Sequence, residues 1–130
     1  MSAASDYLEN ALLDHVLGGT QYTQPATLYL GLYTADTGLE TNEPSAEVSG
    51  GSYVRKAITF NAASSGSADS AATVTFDAAT ANWGTITHVA VIDAASSGNV
   101  LFYGAVTTSK TIESGDTFQV SAGNLTISLA

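Results

Sequence analysis

Cysteine is absent, which removes disulfides, thiol nucleophiles and thiolate metal sites in one step. Basic residues are scarce: Lys plus Arg number 3 against 12 Asp plus Glu, giving a net charge of −9 and a pI near 4.1. A surface this acidic repels phosphate backbones and anionic lipid, so neither nucleic acid nor membrane is an expected partner. No apolar run is long enough to span a bilayer. No positively charged start leads into an apolar signal-peptide core, so no export signal is expected. Glycine-rich nucleotide loops and the G-x-S-x-G elbow of serine hydrolases are missing too. What is present is 130 residues, 45% hydrophobic, with mean hydropathy +0.16. That is enough for one domain over 1–130 with a real core.

Helical periodicity occurs only near the start. Ser5 or Asp6 can cap, and Glu9 is a capping-box partner for Asp6. Tyr7, Leu8, Ala11, Leu12, His15 and Val16 share one side of a 3.6-residue wheel, and Gly18-Gly19 ends it. The spacing predicts a helix over 6–17. Leu13 and Leu17 lie one turn apart on the far side, available for partial burial at home or for a neighbouring subunit.

Beyond Gly19 the period changes to two. Strands are predicted over 27–33, 53–60, 73–76, 83–92, 100–106, 117–120 and 125–129. The first carries three leucines on one face and Tyr29, Gly31 and Tyr33 on the other. Residues 93–99 read as a hairpin turn. The runs flanking that turn are apolar on both faces, so they belong in the centre of a sheet covered from both sides. A second sheet supplies one cover; the helix or another subunit supplies the other. Seven short strands at this spacing predict an antiparallel β-sandwich over 26–130 with one N-terminal α-helix. Residues 34–52 form a long acidic loop, either solvated or an ordered arm reaching a neighbour.

Chemistry-bearing residues are few. His15 and His88 read as hydrogen-bonded, partly buried imidazoles. Glu43 and Glu47 are a close glutamate pair, but sit in a loop without a rigid cleft. Asp93 with Asn99, and Glu113 with Asp116, bracket tight turns rather than cation loops. Asn124-Leu125-Thr126 fits a glycosylation sequon but opens a predicted strand. The lone Trp83 is either a core anchor or a stacking ring for a sugar or partner. Arg55 and Lys56 point to opposite faces of one strand, each placed to meet a carboxylate inside the chain or on the next subunit. No catalytic residue, cofactor or metal site emerges, so the chain is not expected to be an enzyme.

Four blocks carry a resemblance. They are Ser5–Gly19 (SDYLENALLDHVLGG), Ala26–Ala35 (ATLYLGLYTA), Glu47–Ala57 (EVSGGSYVRKA) and Asn82–Ala95 (NWGTITHVAVIDAA) followed by Gly98–Leu101. In this order they resemble short structural proteins of tailed bacteriophages, labelled tail-fibre or capsid decoration (cement) proteins. The resemblance runs nearly end to end and implies no catalytic residues. One departure is the loop after Ala35, which is richer in acidic residues than that family leads one to expect. The resemblance implies a virion protein assembled in the bacterial cytoplasm, foremost a decoration protein that binds and stabilises the head exterior. It implies a homo-oligomer, with a trimer favoured, in contact with the major capsid protein or other virion proteins. A tail-fibre or adhesin module binding a host surface glycan is the alternative, with Trp83 and the Tyr29/Tyr33 face as its platform. A small hydrolase using His15 and His88 is a distant third. The residues placed at a subunit interface on this reading are Leu13, Leu17, Tyr29, Tyr33, Arg55, Lys56 and Trp83.

Overall fold

The computed structural model of the chain describes residues 3–129, so Met1, Ser2 and Ala130 of the expected 1–130 domain lie outside the described residues. In chain order the elements are β1 (Ala3–Ala4), α1 (Asp6–Leu17), β2 (Leu28–Tyr33), β3 (Lys56–Ile58), β4 (Ser67–Asp69), β5 (Val74–Thr75), β6 (Gly84–Ile92), β7 (Val100–Ile112), β8 (Gln119–Val120) and β9 (Thr126–Ser128). Five strands form one antiparallel sheet in the order β1-β7-β6-β2-β3. Two antiparallel ribbons, β4-β9 and β5-β8, complete a β-rich fold with one N-terminal helix.

Alternation along the central strands sorts their side chains onto two faces. On one face Leu30, Leu32, Ile58, Ile86, Val89 and Ile112 meet Val74, Phe76 and Phe118 from the ribbon side. The other face holds Tyr33, Ala90, Ile92 and Val100, packed with Leu39. The 83–92 run is buried from both sides over Val89–Ile92, whereas the 100–106 run is buried only at Val100 and Leu101 and is half-buried or exposed beyond them. The second cover includes a residue that neither expectation named, Leu39 of the 34–52 loop, whose side chain is fully buried, while α1 packs against β7.

That loop keeps Glu40, Glu43 and most of its polar residues in solvent yet is ordered against its own domain. It folds back along β2, with an antiparallel bridge between Tyr33 and Glu47 and a bond from the Val48 N–H to the Leu32 carbonyl. Asn42 ties it to the 93–99 turn: its Nδ2 donates to Asn99 Oδ1 at 2.9 Å, and its Oδ1 accepts from the Val100 N–H at 2.7 Å. The sharp fold needs Gly38, which has φ +76° and whose missing Cβ would lie 1.9 Å from the Glu43 carbonyl oxygen. Burying Leu39 and Val48 holds this polar-looking segment at home.

The helix spans the expected residues. Ser5, not Asp6, is its cap, accepting from the Leu8 N–H at 3.3 Å, and Gly18 closes it at φ 90°. Ser5 is fully buried, and its hydroxyl also donates to the Val100 carbonyl while its N–H bonds the Leu101 carbonyl. The Asp6 N–H bonds the Glu40 carbonyl at 2.8 Å. The first turn is thus fastened to β7 and to the loop, whereas nothing comparable holds the last turn.

Each predicted strand has a counterpart, with altered limits. The 53–60 strand shrinks to β3, and the 100–106 strand extends to Ile112 as β7. β1 and β4 are additions. Their Ala-Ala and Ser-Ala-Asp sequences carry no alternating pattern and pair because β7 and β9 present edges to them.

Candidate assembly surfaces

Two of the three basic residues are occupied inside the chain. Arg55 Nη2 and Nε each lie 2.7 Å from a different Glu47 oxygen, a two-point contact that fits the planar guanidinium. Arg55 Nη1 donates to the Ala94 and Ser97 carbonyls, both at 2.8 Å. One side chain therefore joins the approach to β3, the 34–52 loop and the 93–99 turn. On the opposite face, Lys56 Nζ lies 2.9 Å from Asp77 Oδ1 in a more exposed pair. Both basic residues thus meet an internal carboxylate, the simpler of the two expectations.

The Tyr53 hydroxyl donates to Glu47 Oε2 at 2.7 Å and accepts from the Leu32 N–H at 3.0 Å. Its ring begins an aromatic ladder through the ribbon-side core. Trp83 stands edge-on to Tyr53 at 5.4 Å, Tyr53 stacks on Phe76 at 6.1 Å, and Phe76 meets Phe118 edge-on at 5.9 Å. Trp83 Nε1 donates to the Gly51 carbonyl at 2.9 Å.

Burial, above all, raises the Tyr33 and Tyr53 hydroxyls well beyond the ordinary phenol range; negative Glu47 adds to both. Their folded values exceed their unfolded ones, so the stability they contribute is full below about pH 10 and is lost as pH rises through the folded values. An alkaline titration followed by phenolate absorbance is expected to leave Tyr33 and Tyr53, of the six tyrosines, un-ionised until the circular dichroism signal collapses. Smooth ionisation of all six before unfolding is the contrary result.

The proposed interface residues are scattered. Tyr33 and Trp83 are interior, and Tyr29 is half-buried in β2. Tyr33 and Arg55 come together around Glu47, while Lys56 faces the other way with Asp77. Leu13 and Leu17 remain at the surface of α1, 58% and 78% exposed, and Val16 joins them at 74%. Val16 and His15 share a side of the wheel with the buried Leu8 and yet are exposed. Of the helix residues only Leu8 is buried. His15 is exposed, accepting from the Tyr22 N–H through Nδ1 at 3.1 Å; His88 is half-buried, with Nδ1 2.8 Å from Thr87 Oγ1.

A second surface escaped sequence reasoning. A groove of about 530 Å³ opens between β7 and the chain around β8 and β9. Val106, Phe118, Val120, Leu125 and Ile127 give it an apolar lining, and Lys110 stands on it. Lys110 is exposed and, unlike Arg55 and Lys56, has no ion-pair partner among the described residues. β1 pairs only with Phe102 and Tyr103, leaving that edge of β7 without a strand partner from Gly104 onward among the described residues. A bulge sets Val106 to Ser109 opposite the single residue Thr87, which spoils the edge as a template for strand pairing. The apolar residues of the groove come from four separate segments, so no single window of sequence displays it.

Elsewhere the polar residues serve local structure. Asp93 accepts from the Asn99 N–H at 2.7 Å, and Asp116 accepts from the Glu113 N–H at 2.9 Å. Glu43 lies apart from the Arg55-bound Glu47, exposed in the loop. Among the described residues no three His, Asp or Glu side chains gather closely enough to hold a metal ion, and no helix is long and apolar enough to cross a membrane. In comparisons with known proteins, residues 3–128 match the family described as podophage GP4 fiber I protein gp80. No curated protein matches the chain.

Proposed function

The chain belongs to the podophage GP4 fiber I protein gp80 family and is a phage virion structural protein; we propose that it serves there as a fibre subunit, acting by assembly rather than by catalysis. The observation that carries this reading is the extent of the match, which takes in every strand and the helix. The family description favours a fibre over the head-decoration role that the resemblance had put first. Two features support assembly: an apolar helix end left open to solvent and an apolar groove bearing a lysine with no ion-pair partner among the described residues. The ionisable groups support a non-catalytic role, because Arg55, Lys56, Asp93 and Asp116 are committed to structural pairs and turns. Its partners are copies of itself and other virion proteins, and its acidity disfavours nucleic acid and anionic membrane.

Gold-labelled antibody on intact virions tests the location. Label confined to the tail apparatus is the expected result. Label spread over the head overturns the fibre assignment and restores decoration of the capsid.

A further inference from the structure

We propose that the exposed end of α1 in one copy seats in the β7 groove of a second copy, through Leu13, Val16 and Leu17, with Asp14 paired to Lys110. The inference rests on the reading of the chain as an assembling virion subunit and names the contact that would assemble it.

Three observations place the helix, rather than another partner, in the groove. The helix end presents three large apolar side chains to solvent, 58%, 74% and 78% exposed, on one broad stripe. They lie off their own core: the buried residue of the helix is Leu8, near the end that Ser5 and Asp6 tether to β7 and the loop. The groove supplies the matching apolar lining in the same chain.

Charge supplies the third observation. Asp6, Glu9 and Asp14 are exposed on α1, and the negative end of the helix dipole lies beside Leu17. Lys110, the one basic residue without an ion-pair partner among the described residues, stands at the groove. In a chain of net charge −9, two copies repel unless such a lysine meets a carboxylate. Strand-to-strand pairing along β7 is the poorer geometry, because the bulge at Val106 to Ser109 interrupts that edge.

Helix and groove are different surfaces of one chain, so the contact is head-to-tail. It closes into a ring where the rotation permits and otherwise extends as a filament. Each contact is small, and repetition around a ring multiplies it.

The test uses the full chain with two surface variants, Leu17→Asp on the helix and Lys110→Glu at the groove, each checked for native circular dichroism. Light scattering after size exclusion is expected to show wild-type oligomers. Association should weaken by about thirtyfold in Leu17→Asp and about tenfold in Lys110→Glu. Mixed, the two variants should form a one-to-one dimer, because one keeps an intact groove and the other an intact helix. Adding Asp14→Lys to Lys110→Glu should restore self-association. A monomeric wild type, unchanged association of Leu17→Asp, or a mixture that stays monomeric overturns the contact. The virion-labelling result is independent of all these, so the fibre reading and this contact can fail separately.

Discussion

Replacing Trp83 with alanine is expected to destabilise the fold by about 4 kcal/mol, near the middle of the range for a large aromatic removed from a core. Trp83 is 5% exposed, so its ring gives up nearly all contact with water on folding. It begins the ladder through Tyr53, Phe76 and Phe118, which ties the main sheet to the ribbon layer. Its truncation leaves a cavity between elements that cannot close without moving both layers. It also removes one of the two donors to the Gly51 carbonyl, leaving the Thr80 N–H at 3.0 Å. Gly51 has φ +59°, and a Cβ there would lie 2.8 Å from the indole Nε1, so backbone and ring are fitted to each other. Far-ultraviolet circular dichroism should show a melting temperature lower by about 10–15 °C. Trp83→Phe, which keeps most of the ring volume, should lose roughly half as much. A shift of under about 3 °C in Trp83→Ala would show that the ring is not the anchor of this core.

Arg55→Ala should cost about 3 kcal/mol, the lower end expected for breaking a buried ion pair. The lower end applies because the Glu47 side chain is still 24% exposed, whereas that of Arg55 is 8% exposed. The loss is not only Coulombic. Glu47 is left with only the Tyr53 hydroxyl as a side-chain donor, and the Ala94 and Ser97 carbonyls lose theirs. Three segments distant in sequence are released together. A double-mutant cycle with Glu47→Ala, read by urea unfolding through Trp83 fluorescence, should return a coupling of about 2 kcal/mol. Additive losses would mean that the two side chains stabilise the fold separately. Lys56→Ala, which breaks the exposed pair with Asp77 at 2.9 Å, should change stability by less than about 1 kcal/mol.

The contrast between Arg55 and Lys56 shows where sequence reasoning reached and where it stopped. Strand alternation alone puts adjacent residues on opposite faces, so the division of labour was readable. Which carboxylate each would meet was not, because Glu47 and Asp77 arrive from different segments. The cap and stop of α1 were similarly legible: Ser5 and Gly18 act within a few residues of chain. So were the central strands, whose doubly apolar pattern has few places to go except between two layers.

The 34–52 loop marks the boundary. Its composition is polar and acidic, and composition says nothing of the single Leu39 side chain that closes the second face of the sheet. Val16 obeys the helical period yet faces solvent, because the helix touches the sheet only near its first turn. The β7 groove joins residues more than ten positions apart, and Lys110 becomes notable only once Arg55 and Lys56 are seen to be occupied. Local geometry, capping and strand alternation act over a few residues, so they are written in any short window of the chain. Burial, ion pairing and grooves depend on which distant segments meet. The folded arrangement alone chose those meetings, and with them the surfaces left for another subunit.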